Sequence, residues 1–109
     1  MHRFAVRVIK MSDHLPRNRM AGQILGRQVV RSSTSIVANL EEAQASLTKR
    51  ESVHRTGVAR KESKETLRWL LLIRDAELLP ANRLHQLIDE AQQITAMLTA
   101  GLKRFRNIA

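Results

Sequence analysis

No cysteine occurs among the 109 residues, which excludes a disulfide scaffold, a thiolate zinc site and a thiol nucleophile. Aromatic residues amount to 3% and consist of Phe4, Trp69 and Phe105. That is too few for a surface that binds nucleic acid by stacking bases. The glycines Gly22, Gly26, Gly57 and Gly101 lie too far apart to form a phosphate-cradling loop. No apolar run approaches the ~18 residues that a membrane-spanning helix needs. Charge interrupts the opening stretch Met1-His2-Arg3-Phe4-Ala5-Val6-Arg7, so it has no apolar signal core and a cytoplasmic location is expected. Acid is the remaining deficit. Asp and Glu number 10 against 19 Lys and Arg, a formal charge of +9. A surplus of that size implies a phosphate-rich partner.

What is present reads as one small helical domain, residues 1–109, with 43% hydrophobic residues. Pro16 and Pro80 interrupt the periodic segments. Thr48-Lys49-Arg50-Glu51 is a capping box, in which the Thr hydroxyl accepts from a backbone N–H three residues on. These breaks predict helices over about 2–15, 20–47, 49–78 and 81–106. Phe4, Val8, Met11 and Leu15 form the apolar stripe of the first helix, and Leu25, Val29, Ile36, Leu40, Ala43 and Leu47 that of the second. Val53, Gly57, Leu67, Leu70 and Leu71 mark the third. Leu84, Ala91, Leu98 and Phe105 recur by sevens in the fourth, beside Leu87, Ile94 and Gly101. Long helices on short connections pack antiparallel. The expected fold is all-α, an antiparallel up-down four-helix bundle. Leu70, Leu71, Leu72 and Ile73 cover nearly the whole circumference of their helix. With Trp69 beside them, an oligomer interface through Trp69, Leu70, Leu72 and Ile73 is expected.

The middles of the second and third helices are polar. In a hairpin turning near residue 48, residues whose numbers sum to about 96 stand level. Arg31 then faces Glu65 and Glu62, Ser35 lies near Glu62, and Asn39 lies opposite Gly57, where a missing side chain would make room. Glu42 comes near Arg50. Arg31, Ser35, Asn39, Glu42, Arg50, Glu62 and Glu65 are read as a structural polar layer, with ion pairs that fix register more than they stabilise. The competing reading makes Glu42, Glu62 and Glu65 metal ligands or catalytic acids. A di-metal bundle needs Glu-x-x-His on two helices, and Glu51-Ser52-Val53-His54 supplies only one. The histidines at 2, 14, 54 and 85 are scattered, and Ser32, Ser33 and Ser35 lie in mid-helix rather than at a strained nucleophile turn. No catalytic residue, metal or cofactor is expected, and the chain reads as non-enzymatic.

The run Arg31-Ser32-Ser33-Thr34-Ser35-Ile36-Val37-Ala38-Asn39-Leu40-Glu41-Glu42-Ala43 is unusual for an ordinary bundle helix. It is followed by Thr48-Lys49-Arg50-Glu51, by Glu62-Ser63-Lys64-Glu65-Thr66-Leu67-Arg68-Trp69-Leu70, and by Ala76-Glu77-Leu78-Leu79. This ungapped order resembles the bacterial four-helix proteins called 23S rRNA intervening-sequence proteins. Leu40-Glu41-Glu42 stands where the family commonly has Ala-Glu-Gly, and Ser52-Val53 where a large apolar residue is usual. The resemblance implies a homopentameric ring. It also implies kinship with the accessory variability determinant proteins of diversity-generating retroelements, basic rings that bind nucleic acid and a reverse transcriptase.

The positive charge is concentrated early. The first 31 residues hold seven Lys and Arg and a single acid, Asp13. Arg3, Arg7, Lys10, His14 and Arg17 would form one stripe if the first helix ran to its predicted end. Arg3, Arg7, Lys10, Arg17, Arg19 and Arg27 are therefore the expected phosphate contacts, on RNA or DNA, with binding steeply salt-dependent and little sequence preference. Lys103, Arg104 and Arg106 form a second cluster, which the dipole of the last helix also favours. A membrane surface fits less well, because no Trp- or Phe-rich face opposes the basic stripe. The alternative is a protein-interaction scaffold that holds an acidic partner such as a reverse transcriptase.

Overall fold

The structure, a computed structural model, describes residues 1–108, with side chains as far as Arg106. Four α-helices follow one another: α1 (His2–Ser12), α2 (Met20–Ala45), α3 (Lys49–Asp75) and α4 (His85–Ile108), with a single 3-10 turn, Ala81–Arg83, before α4. No strand occurs among the described residues. α2 packs on α3, α3 on α4, and α1 on both α2 and α4. The result is an up-down bundle with extents of 49 × 20 × 20 Å.

Local chemistry sets the helix ends. α1 stops at Ser12, short of the predicted residue 15. His14 and Leu15 make only single-turn bonds to Met11 and Ser12, and Pro16 disfavours helical backbone at the residue before it. The Thr48 hydroxyl accepts from the Glu51 N–H at 3.1 Å, so the predicted capping box starts α3. At the far end of α3 the Leu78 N–H reaches the Ile73 carbonyl and the Glu77 N–H the Arg74 carbonyl. This is a Schellman cap. Its left-handed position, φ 56°, is occupied by Glu77 rather than glycine.

The core runs along the bundle axis through Phe4, Val8 and Met11 of α1, Val29 and Ile36 of α2, and Leu84, Leu87, Ala91, Ile94 and Leu98 at the 3-10 turn and along α4. α3 departs from the predicted stripe. Its buried face is Ala59, Ser63, Thr66, Leu70 and Ile73, while Leu67 and Leu71 are half-buried at its edge. Leu47 is 96% exposed at the tip of the α2–α3 hairpin. α1 is too short to reach that far along the bundle.

The centre of the bundle is held by hydroxyls. Thr66 donates to Ser32 at 2.7 Å, and Ser63 and Thr95 share a hydrogen bond at 2.8 Å. Arg60 donates to Thr99 at 2.7 Å. Small side chains let the helices approach, and each hydroxyl, once buried, has a partner.

Candidate nucleic-acid interface

The α2–α3 register comes out as the sequence predicts. Arg31 lies 2.6 Å from Glu65 and 3.2 Å from Glu62, and its Nε donates to Gln28. The hydrogen bond to Glu65, and then the charges of Glu62 and Glu65, hold the guanidinium above its ordinary pKa despite a slight loss of hydration. Asn39 donates to both the backbone and the hydroxyl of Ser35. It accepts from Arg55 at 3.4 Å, a partner that the sequence pattern does not single out.

Two expectations about the polar layer fail. Glu42 and Arg50 are both exposed and form no ion pair among the described residues. Gly57 makes no room for Asn39 either, since a Cβ at that position would meet nothing within 4 Å.

The six expected phosphate contacts separate into four situations. Arg7 is withdrawn: it is only half-exposed and forms an ion pair with Glu90 of α4, with a further bond to Gln86. α1 lies against α4 there, and the sequence separation of 83 residues hides the pairing from any local reading. Arg3 and Lys10 lie on α1, exposed, along clefts that it forms with α4. Arg17 and Arg27 meet at the other side of α1, in the elbow where the 13–19 connection folds onto α2. Arg19 is exposed at the N-cap of α2. The single stripe therefore does not form, because α1 ends before His14 and Arg17. Arg3, Lys10, Arg17, Arg19 and Arg27 are all exposed and enter no ion pair among the described residues.

The elbow is built tightly. A Cβ on Gly22 would stand 2.2 Å from the carbonyl oxygen of Pro16, and one on Gly26 would stand 3.3 Å from Leu15. Only glycine at 22 allows the connection to lie on α2 this closely. Gln23 donates to the Arg17 carbonyl and pins the same loop. The cleft formed there has a volume of about 470 Å³ and is lined by Leu15, Pro16, Val30, Arg17, Arg27 and Arg31 among others, with no carboxylate in its walls. Its position depends on two glycines one helical turn apart, a signal visible in the sequence.

The expected oligomer interface is also redrawn. Leu70 and Ile73 are fully buried inside the bundle and belong to its own core. Trp69 is half-buried, with its indole nitrogen enclosed and without a hydrogen-bond partner among the described residues. Leu72 is 44% exposed and lies with Leu67, Leu71, Lys64 and Arg68 along a groove of about 300 Å³. No group of three or more His, Asp or Glu side chains among the described residues could hold a metal. No described helix is long and apolar enough to cross a membrane.

Comparison with solved structures finds a crystal structure from Bacteroides thetaiotaomicron, a protein of unknown function from the S23 ribosomal protein family. It is 26% identical, with 94% of each chain covered and a TM-score of 0.85. No curated protein matches the chain. The family model for the 23S rRNA-intervening sequence protein matches residues 1–100. With nearly the whole chain matched and the bundle in common, the protein belongs to the 23S rRNA-intervening sequence protein family.

Proposed function

We propose that the protein is a non-enzymatic, cytoplasmic nucleic-acid-binding module that contacts phosphates through Arg3, Lys10, Arg17, Arg19 and Arg27. One observation carries this reading: these five side chains are exposed and unpaired among the described residues. Glu62 and Glu65 are engaged with Arg31 and Glu90 with Arg7, and the exposed Asp13 pairs with none of the five among the described residues. Free cations of this kind bind phosphate by releasing counterions, with little regard to sequence. Self-association, as in the pentamer implied by the family resemblance, would use Leu72 with Leu67 and Leu71, and would multiply the charge presented to one strand. Filter binding at low salt tests the proposal. Retention of RNA or DNA that weakens when Arg17 and Arg27 become Gln is expected, and no retention of either nucleic acid overturns it.

A second reading is favoured by the groove on α3, where Leu67, Leu71 and Leu72 lie beside Lys64 and Arg68, with Asp75 in the same groove paired to Arg74. An apolar strip beside cations suits an acidic amphipathic segment of a partner protein such as a reverse transcriptase. A partner that remains bound after nuclease treatment, and is lost on Leu72→Asp, supports that reading over direct nucleic-acid contact.

A further inference from the structure

We propose that the elbow cleft binds the phosphorylated end of a nucleic-acid strand. The terminal phosphate lies on Arg17 and Arg27, and the terminal sugar and base lie over Leu15, Pro16 and Val30. This rests on the nucleic-acid reading above and names the part of the strand that one site takes.

Three features carry it. First, the cleft combines an apolar floor with guanidinium groups and has no carboxylate in its walls. That combination suits an organic phosphate better than a bare anion. Its volume of about 470 Å³ falls within the ~300–1,000 Å³ of sites that enclose a small organic ligand. Second, the floor is fixed in place. The Pro16 carbonyl lies against Gly22, and Gln23 holds the Arg17 carbonyl, so the site is formed before a ligand arrives. Third, the cleft accepts one phosphate and opposes the next. Arg31, one helical turn beyond Arg27, already carries both Glu62 and Glu65. One guanidinium with two carboxylates is a net negative cluster, and it repels a second phosphate continuing along α2. A strand that ends in the cleft avoids this repulsion. A terminal phosphomonoester also carries a charge of about −1.5 to −2, more than the single charge of an internal phosphodiester, and so gains more from two free guanidiniums.

A competition assay tests this. A labelled RNA bound to the protein is displaced by one short RNA supplied as its 5′-phosphate, its 3′-phosphate or its unphosphorylated form. One phosphorylated form is expected to compete about fivefold better than the unphosphorylated one. That advantage is lost in the Arg17→Gln, Arg27→Gln variant. In the Arg3→Gln, Lys10→Gln variant all three competitors weaken together and the advantage stays. All four positions are exposed, so both variants retain the fold. Equal competition by the three forms, with RNA still retained, overturns the end-binding site alone. Failure of the protein to retain either RNA or DNA overturns both this inference and the reading beneath it, and where only DNA is retained the same competition with 5′- and 3′-phosphorylated DNA decides the inference.

Discussion

Arg27 and Arg31 stand one turn apart on α2, both exposed and both along the elbow cleft, and differ in their partners. Arg31 belongs to the α2–α3 seam, where Glu62, Glu65 and Gln28 take up its donors. Arg27 belongs to the α1–α2 elbow, where it enters no ion pair among the described residues. The seam and the elbow thus divide the basic residues into those that set helix register and those free to meet a ligand. A net charge of +9 says nothing of this division. What decides it is whether a neighbouring helix carries an acid at the same level.

The largest expected effect breaks the elbow. Gly22→Ala forces a methyl group against the Pro16 carbonyl and should destabilise the protein by about 2–3 kcal/mol in denaturant unfolding. Gly57→Ala in the seam is the control. It meets nothing within 4 Å and should stabilise by about 1 kcal/mol, since alanine favours helix. Thr66→Val breaks the hydroxyl contact at the centre of the bundle and leaves buried Ser32 with only a 3.4 Å bond to the Val29 carbonyl. A loss of about 1–2 kcal/mol is expected by the same measurement. Arg31→Gln should lose less, about 0.5–1 kcal/mol, because half of its side chain is in solvent, and the loss should shrink as salt is added. Glu77→Gly is the smallest change. It relieves the left-handed backbone at the α3 cap and should raise stability by about 0.5 kcal/mol, read as a small rise in Tm.

Much of the seam was legible in the sequence because antiparallel register follows from one turn position. Placing the hairpin near residue 48 put Arg31 beside Glu65 and Glu62, and the structure puts it there. The inner face of α3 was not legible in the same way. Ser63 and Thr66 are buried because Thr95 and Ser32 supply hydroxyl partners, and a search for apolar periodicity passes over them in favour of Leu67 and Leu71. The bond between Asn39 and Arg55 escaped for a similar reason, since Arg55 reads as one more solvated cation. At the elbow, the cations could be identified but not their grouping. The stripe from Arg3 to Arg17 required a helix that continues to Arg17, whereas α1 ends at Ser12. The loss of Arg7 to Glu90 required knowing how α4 lies on α1. In the α3 end, four consecutive apolar residues signalled more than one covering surface. Leu70 and Ile73 nevertheless turn inward, and only Leu71 and Leu72 lie along the groove.

The salt dependence of nucleic-acid affinity tests the division between seam and elbow most directly. A plot of log affinity against log salt should be linear and steep. Its slope should fall by about one for each of Arg17→Gln and Arg27→Gln, and stay nearly unchanged for Arg7→Gln. A flat plot, or a slope that changes as much for Arg7→Gln as for Arg27→Gln, would contradict the account.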